Sequence, residues 1–333
     1  MISILFISAF LVSVGVSWLA RHAGVLDHPN ARSSHSRPTP RGGGLGLLAA
    51  LGIALLPTLH PDFALSALAI AMAALGFGAL GLADDLLALG TRLKFAITIS
   101  LGAAITLVMG PVEAIAMSAT AGIALPYLIG FAGSVLWIFT VSNAANFMDG
   151  SDGLTIACFL PASLALMVVG EGEVALAGLG LAAGLTGFAV FNVPRASLFF
   201  GDVGSLSLGA IFGAVALSAI ESGLDVWLYP LLILPVLADV LLTLVGKLRN
   251  RIGFLAPHRT HAYQLLIRMG WPHWQVALAY LGLSSACAAL VIMAGPAGWL
   301  NPALAFWGAV VVITILHSAV RRMARRAGID FAA

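Results

Sequence analysis

Charged side chains are scarce in this chain. Asp, Glu, Lys and Arg make up only 9% of its 333 residues, whereas Ala, Val, Ile, Leu, Met, Phe, Trp, Tyr and Cys make up 60%. Soluble domains carry roughly 25% charged residues, so this composition cannot cover a surface that faces water. The abundance of apolar side chains excludes intrinsic disorder as well. The sequence therefore predicts an integral membrane protein.

Cysteine is also rare, since only Cys158 and Cys287 occur, and both lie in apolar stretches. Two such residues cannot form a disulfide scaffold. The formal net charge of +2 gives no reason to expect a nucleic-acid partner. The basic residues near the C-terminus instead suit the anionic headgroups of membrane lipids. They are Arg321, Arg322, Arg325 and Arg326.

Long runs that are apolar on every side predict helices, because a membrane β-barrel would alternate polar and apolar residues. At about 20 residues per span, the length allows an all-α bundle of about eleven transmembrane helices. The spans are predicted at 2–20, 43–57, 63–82, 95–110, 122–141, 154–170, 175–192, 205–221, 227–246, 275–293 and 300–319. No repeat or linker divides the chain, so residues 1–333 are expected to form a single domain.

The distribution of charge predicts the orientation of this bundle. All 16 Lys and Arg residues fall in connections on one side, and the opposite connections carry only acids. The positive-inside rule then places the N-terminus in the periplasm and the C-terminus in the cytoplasm. The first span has no basic residue before it, which favours an uncleaved anchor over a signal peptide. The inner connections are the longer and more polar ones, so the chemistry is expected on the cytoplasmic face.

Apart from Asp27 and Asp330, carboxylates occur at four places on the inner side or within a span: Asp84-Asp85 in GLADDL, Asp149 and Asp152 in NAANFMDGSDGL, Asp202 in FFGDVGSLSLG, and Asp239 in LPVLADVLL. Acids close to a membrane require partners. Adjacent carboxylates suit Mg²⁺, which usually binds through one or two carboxylates plus phosphate oxygens, and Mn²⁺ is a substitute. Taken alone, the Asp84-Asp85 pair is better explained as a solvated loop with two charges.

Two of these segments have features of a nucleotide site. Asn146, Asp149 and Asp152 recur every three residues, and a polar helix end with caps is the alternative explanation, although capping needs only one residue. Residues 201–205 open a span whose free N–H groups attract phosphate, while Asp202 is as well suited to capping as to metal binding. Phe199 offers a ring for stacking a base, with core packing as the alternative. Asn192 offers a side chain that can hydrogen-bond the edge of a base, or it simply ends the seventh span.

Two further inner loops are basic. Residues 21–46 combine Arg, His, Pro and Gly in a shaped loop suited to polyanion contact, or to solvent and lipid. His258, Arg259 and His261 lie within four residues of one another in PHRTHAYQ. Zinc would need further ligands that are not near in sequence, so diphosphate or sugar recognition fits this loop better, with a plain surface loop as the alternative.

Together these motifs resemble those of the polyprenyl-phosphate N-acetylhexosamine-1-phosphate transferases. SRPTPRGGGLG, GLADDL, NAANFMDGSDGL, FFGDVGSLSLG and the histidine loop occur in the order of that family. The resemblance implies a bacterial inner-membrane enzyme that moves a sugar 1-phosphate from a UDP-N-acetylhexosamine to undecaprenyl phosphate. It also implies a requirement for Mg²⁺ and the release of UMP.

The resemblance assigns roles residue by residue. Asp202 is expected to be the principal metal ligand, with Asp84 and Asp85 beside the metal and the lipid phosphate and Asp85 as a second ligand. The nucleotide pocket is expected to contain Asn146, Asp149 and Asp152, with Asn192 and Phe199 near the uracil. The diphosphate or sugar is expected to contact His258, Arg259 and His261.

The histidine loop departs from the peptidoglycan branch of the family, which carries three consecutive histidines where this chain has HRTH. It resembles the O-antigen and exopolysaccharide initiators, and a phospho-MurNAc-pentapeptide transferase is the alternative within the family. A secondary transporter of an anionic solute is the alternative outside it, since transporters also keep acids and broken helices inside a bundle. The resemblance is compatible with a homodimer.

Overall fold

The computed structural model describes residues 2–23, 25–27, 37–58, 65–116, 122–221, 223–249, 259–295 and 298–331. Its helices are α1 Ile2–Ala23, α2 Gly44–Leu55, α3 Leu65–Leu87, α4 Thr91–Met109, α5 Tyr127–Met148, α6 Leu154–Val169, α7 Gly172–Asn192, α8 Asp202–Glu221, α9 Leu228–Leu232, α10 Leu234–Arg249, α11 Ala262–Arg268, α12 His273–Ala294 and α13 Pro302–Arg326. Two short antiparallel hairpins join β1 Leu26–Asp27 to β2 Thr39–Pro40 and β3 Ala114–Ala116 to β4 Gly122–Ala124. The predicted all-α class is confirmed.

Eight of these helices are long and apolar enough to cross a membrane, namely α1, α3, α4, α5, α7, α8, α12 and α13. Helices α2 and α6 are apolar but shorter. The chain is thus an integral membrane protein, while the total of eleven spans and the orientation of the termini stay predictions. The expected span 227–246 is divided into α9 and α10 at Ile233. Pro235 lacks the N–H that would continue the hydrogen-bond ladder back to Leu231, which accounts for the break.

Helix α8 lies at the centre of the bundle. In an apolar stretch of 18 residues, 94% of the residues of α8 are buried, compared with 17% in α1 and 11% in α13. It packs chiefly against α3 and α5. Small residues allow this close packing: a Cβ added to Gly209 of α8 would overlap the backbone of α5 at Val141. The central position of α8 brings its first residue, Asp202, into the middle of one end of the bundle.

Candidate active site

A cavity of about 210 Å³ lies at the end of the bundle where α3 and α5 end and α8 and α11 begin. All five motifs of the sequence contribute to its wall. Of the predicted site residues, the lining contains Asp85, Asp149, Asp152, Asn192, Phe199, Asp202 and Arg259. Segments that are distant in the sequence therefore form one site.

Backbone hydrogen bonds attach the glycine-rich loop to the segment before α8. The Phe199 N–H donates to the carbonyl of Pro40 at 2.8 Å, and the Gly43 N–H donates to the carbonyl of Phe199 at 2.9 Å. The Gly44 N–H in turn donates to the carbonyl of Phe200 at 2.9 Å. Because these groups pair with one another, the basic loop is held directly beside the cavity.

Close packing of α3 against α8 brings the paired aspartates to Asp202. A Cβ added to Gly81 would overlap the carbonyl group of Asp202, so the two helices touch through their backbones at this point. Asp84 and Asp85 follow one turn later on α3. A side chain at position 81 would separate these carboxylates from the start of α8.

Asp85 caps the central helix from a neighbouring element. Its Oδ2 accepts a hydrogen bond from the Val203 N–H at 3.1 Å, which satisfies one of the free donors at the start of α8. Gly201 allows this approach, since its φ of +80° is left-handed and a Cβ there would lie 2.7 Å from the Asp85 oxygen. The Asp85 side chain is only 2% exposed.

Two cations link the carboxylates in pairs. Arg41 bonds Asp27 at 2.5 Å and Asp85 at 3.0 Å. Burial lowers the pKa of Arg41, but the bonded carboxylates of Asp85 and Asp27 outweigh this effect and raise it above its ordinary value. The guanidinium group is therefore permanently charged.

Lys94 makes the second link. Its Nζ lies 2.6 Å from Oδ2 of Asp84 and 3.2 Å from Oδ2 of Asp202. The other oxygen of Asp84, Oδ1, is buried and has no hydrogen-bond partner among the described residues. A positive charge thus already lies between two of the three carboxylates that the motif resemblance places at the metal and the lipid phosphate.

Asp149 is part of the cavity wall, where little of its carboxyl group meets solvent. Burial raises its pKa well above the ordinary value, and the carboxylates of Asp202 and Asp85 raise it further. A hydrogen bond from the Thr155 hydroxyl at 2.7 Å opposes this shift. Asp149 therefore holds a proton more readily than an ordinary carboxyl group.

Asn192 and Asp152 brace the loops around the cavity. Oδ1 of Asn192 accepts from the Gly153 N–H at 2.7 Å, and its Nδ2 donates to the Leu198 carbonyl at 3.0 Å. Oδ2 of Asp152 accepts from the Ala196 N–H at 3.1 Å. Both side chains line the cavity and also fix the loop between α7 and α8, and their contacts with a nucleotide stay predictions.

Other predicted site residues lie outside the cavity lining. Asp84 lies beside Asp202 through Lys94, and the buried Nδ2 of Asn146 has no partner in the described part of the chain. His261 is 5% exposed, stacks on Phe147, and lies 3.6 Å from Asp239. The ring of His261 thus faces the interior of the bundle. His258 lies outside the described residues.

Sequence reasoning did not single out several residues that form the site. Tyr263 and Gln264 of α11 line the cavity, and the Tyr263 hydroxyl donates to the Phe147 carbonyl at 3.0 Å. A Cβ at Gly150 would overlap that hydroxyl, so Tyr263 lies directly on the MDGSDG segment. The position of Tyr263 two residues after HRTH was the available signal. The ion pairs of Arg41 and Lys94 had no signal beyond the basic character of their loops.

The donor groups suit a hard divalent cation. In the described ranges no three acidic, histidine or cysteine side chains converge on one point. Mg²⁺ does not need such a cluster, because it usually takes one or two carboxylates and completes its shell with water and substrate phosphate. The carboxylates of Asp84 and Asp202, which lie on either side of Lys94, provide that number of ligands.

Comparison with known proteins yields consistent matches. The sequence model of the family described as glycosyl transferase family 4 matches residues 67–220. The chain is 31% identical over 340 residues to the decaprenyl-phosphate N-acetylglucosaminephosphotransferase of Mycobacterium leprae. The aligned region covers 90% of this chain and 83% of that protein. It is 27% identical over 284 residues to a probable undecaprenyl-phosphate N-acetylglucosaminyl 1-phosphate transferase of Bacillus subtilis, with coverage of 83% and 79%.

A further match has a shorter extent. The chain is 29% identical over 164 residues to the phospho-N-acetylmuramoyl-pentapeptide-transferase of Latilactobacillus sakei. The aligned region covers 48% of this chain and 50% of that protein. The longer similarities to the M. leprae and B. subtilis proteins extend into the basic loop or the histidine loop beyond residues 67–220.

Proposed function

We propose that this chain, which belongs to glycosyl transferase family 4, transfers an N-acetylated sugar 1-phosphate from a UDP-sugar to undecaprenyl phosphate. The products are undecaprenyl-diphosphate-sugar and UMP. The transfer of a sugar phosphate to a polyprenyl phosphate is common to the relatives that match most of the chain. The choice of UDP-N-acetylhexosamine and undecaprenyl phosphate belongs to the proposal.

The observation that carries the proposal is the charge of the cavity. Its lining holds five carboxylates, those of Asp27, Asp85, Asp149, Asp152 and Asp202, against the two guanidinium groups of Arg41 and Arg259. Both substrates carry negative phosphates, which such a wall repels. A divalent cation between the carboxylates and the phosphates removes this repulsion. This arrangement is typical of enzymes that transfer phosphoryl groups.

We place Mg²⁺, or Mn²⁺ in its stead, on Asp202 and one of the paired aspartates. Asp84 is the better partner, because Lys94 joins it directly to Asp202, whereas both oxygens of Asp85 already bond to Arg41 and Val203. Asp85 is the alternative from the motif resemblance. The bound ion supplies charge neutralisation of the donor diphosphate.

The residues of the chain then hold the two phosphates in line. An oxygen of the lipid phosphate attacks the β-phosphorus of the UDP-sugar, and the bond from this phosphorus to the bridging oxygen breaks as UMP leaves. Arg41, Lys94 and Arg259 offset the charge of the phosphates, and Asp84 or Asp85 accepts any proton left on the acceptor. This is catalysis by positioning and electrostatics. A two-step route through a phosphorylated aspartate is the competing mechanism.

We assign the donor nucleotide to the side of the cavity formed by Asp149, Asp152 and Phe199. Phe199 offers a ring for stacking on uracil, while Asp149 and Asp152 provide acceptors for the nucleoside. The HRTH loop supports a donor such as UDP-GlcNAc over UDP-MurNAc-pentapeptide. The site would lie on the cytoplasmic face of the bacterial inner membrane, where the product initiates O-antigen or another surface polysaccharide.

The test is a reconstitution with chemically defined substrates. Membranes or purified protein are incubated with undecaprenyl phosphate, Mg²⁺ and one of UDP-GlcNAc, UDP-GalNAc or UDP-MurNAc-pentapeptide, and the lipids are identified by mass spectrometry. We expect an undecaprenyl-diphosphate-HexNAc and an equal amount of UMP, and none with Asp202→Asn. A product from UDP-MurNAc-pentapeptide alone would favour the peptidoglycan activity. If no donor yields a lipid-linked sugar, the proposed function is wrong.

A further inference from the structure

A buried polar cluster lies behind the wall of the cavity, between α10, α11, α12 and α13. At its centre is Asp239 of α10, which is only 2% exposed. A carboxylate in such a place is costly unless hydrogen bonds satisfy both of its oxygens. The reaction proposed above gives Asp239 no role, since this residue does not line the active-site cavity.

On one side Asp239 holds the start of α11. Its Oδ1 accepts from the Ala262 N–H at 2.7 Å and its Oδ2 from the Tyr263 N–H at 3.3 Å. These N–H groups belong to the first turn of α11 and have no partner within that helix. The carboxylate therefore fixes both the position and the direction of a seven-residue helix.

On the other side Asp239 is held by two long helices. The Tyr280 hydroxyl of α12 donates to Oδ2 at 2.5 Å. Nε2 of His317 on α13 lies 3.7 Å from Oδ1 and 3.4 Å from the Thr243 hydroxyl, which itself bonds Asp239 at 3.3 Å. His261 completes the surroundings at 3.6 Å. Asp239 thus connects α11 to the frame formed by α10, α12 and α13.

Helix α11 forms part of the cavity wall on the side assigned to the donor nucleotide. Tyr263 and Gln264 line the cavity, as does Arg259 just before the helix. Tyr263 bonds the Phe147 carbonyl and lies against Gly150 in the predicted nucleotide segment. Any shift of α11 moves these three side chains together, whereas Asp84, Lys94 and Asp202 stand on other helices.

We propose that Asp239, held in place by Tyr280 and His317, is a positioning residue that sets the donor wall, defined as Arg259, Tyr263 and Gln264. The inference rests on the proposed function for its kinetic consequence. Loss of the hydrogen bonds between Asp239 and α11, which we call the anchor, weakens binding of the UDP-sugar. It leaves the side chains that bind the lipid phosphate and the metal in place. The role differs from general stability because it acts on one substrate only.

The kinetic test compares Asp239→Asn, Tyr280→Phe, His317→Leu and His317→Gln in the full-length protein. The control is Ser284→Ala, since Ser284 is a buried polar residue one turn beyond Tyr280 on α12. We expect Asp239→Asn to raise the KM for the UDP-sugar about tenfold, as the loss of a charge-assisted hydrogen bond does, with the KM for undecaprenyl phosphate within about twofold. Tyr280→Phe should raise the same KM by about threefold or more, and His317→Gln should restore much of what His317→Leu loses.

The second measurement does not depend on activity. Hydrogen exchange of the substrate-free protein in detergent should speed up at residues 262–268 in Asp239→Asn and Tyr280→Phe, and stay unchanged in α3, α8 and the control. If exchange responds but no UDP-sugar is turned over by the wild type, the anchor stands and the proposed function fails.

Two results would overturn the positioning role. One is unchanged exchange of α11 together with a donor KM within about twofold of wild type in both Asp239→Asn and Tyr280→Phe. The other is an equal loss in both KM values and kcat with a lowered melting temperature, which would show general destabilisation. Should Asp239→Asn fail to fold, Tyr280→Phe decides between these outcomes, because it removes one hydroxyl and leaves the carboxylate.

Discussion

Replacement of Asp85 by Asn tests how the charges of the site are organised. Asp85 joins three elements, because its carboxylate accepts one hydrogen bond from Arg41 at 3.0 Å and one from the Val203 N–H at 3.1 Å. Asn has the same size and keeps one acceptor oxygen, so it retains one of these two bonds. The other oxygen becomes an NH₂ group that faces a donor.

The size of the effect follows from these contacts. One hydrogen bond to a charged group contributes roughly 1.5–3 kcal/mol, and about one such bond is lost. Arg41 is 26% exposed and keeps Asp27, so the cost stays below the roughly 3–5 kcal/mol of breaking a fully buried pair. If the bond is needed in the transition state, kcat/KM falls roughly 10- to 150-fold.

The matched control is Asp27→Asn, which removes the outer partner of the same arginine. Asp27 is 28% exposed, and an exposed ion pair contributes about 0–1 kcal/mol, so kcat/KM should stay within about fivefold of wild type. Both variants are assayed by initial rates of lipid product at saturating Mg²⁺, with melting temperatures in the same detergent.

Equal losses in Asp85→Asn and Asp27→Asn would refute this reasoning, because they would show that burial of the pair does not matter. Wild-type activity in Asp85→Asn would refute it more directly. In that case the bonds of Asp85 to Arg41 and to the start of α8 would contribute nothing to the site.

Three further predictions concern the same end of the bundle. Asp202→Asn should reduce transfer at saturating Mg²⁺ by at least about 100-fold, and near-wild-type rates would show that Asp202 does not hold the metal. Burial raises the pKa of Asp149, so the folded protein binds a proton that the unfolded chain releases, and stability falls as pH rises from the ordinary carboxyl value of about 4 towards the raised value. Asp149→Asn should therefore melt above wild type at pH 8 and level with it at low pH, and a constant difference across pH would contradict this. Gly81→Ala should cost about 1–3 kcal/mol, because its Cβ overlaps the backbone at Asp202, whereas the control Gly76→Ala on the same helix meets only the flexible Leu101 side chain and should leave the melting temperature nearly unchanged.

Composition and motif order were sufficient to predict a large part of this protein. An apolar chain in a membrane must form helices to satisfy its backbone, and each predicted span contains a helix in the structure. The motifs also predicted which segments lie near one another, and the cavity brings Asp85, Asp149 and Asp202 together. These features depend on local composition and on residues that are close in sequence.

The partners of each charged group depended on the tertiary structure. Asp85 caps a helix that begins 117 residues later, and Lys94 bonds a carboxylate 108 residues away. The turn of His261 towards Asp239 and the division of the ninth span at Ile233 were likewise not predicted. A sequence motif specifies which groups are available, but which of them meet is decided by how closely the helices pack, here through glycines such as Gly81. Hydrogen bonds and ion pairs act only over a few ångströms, so only the packed bundle determines them.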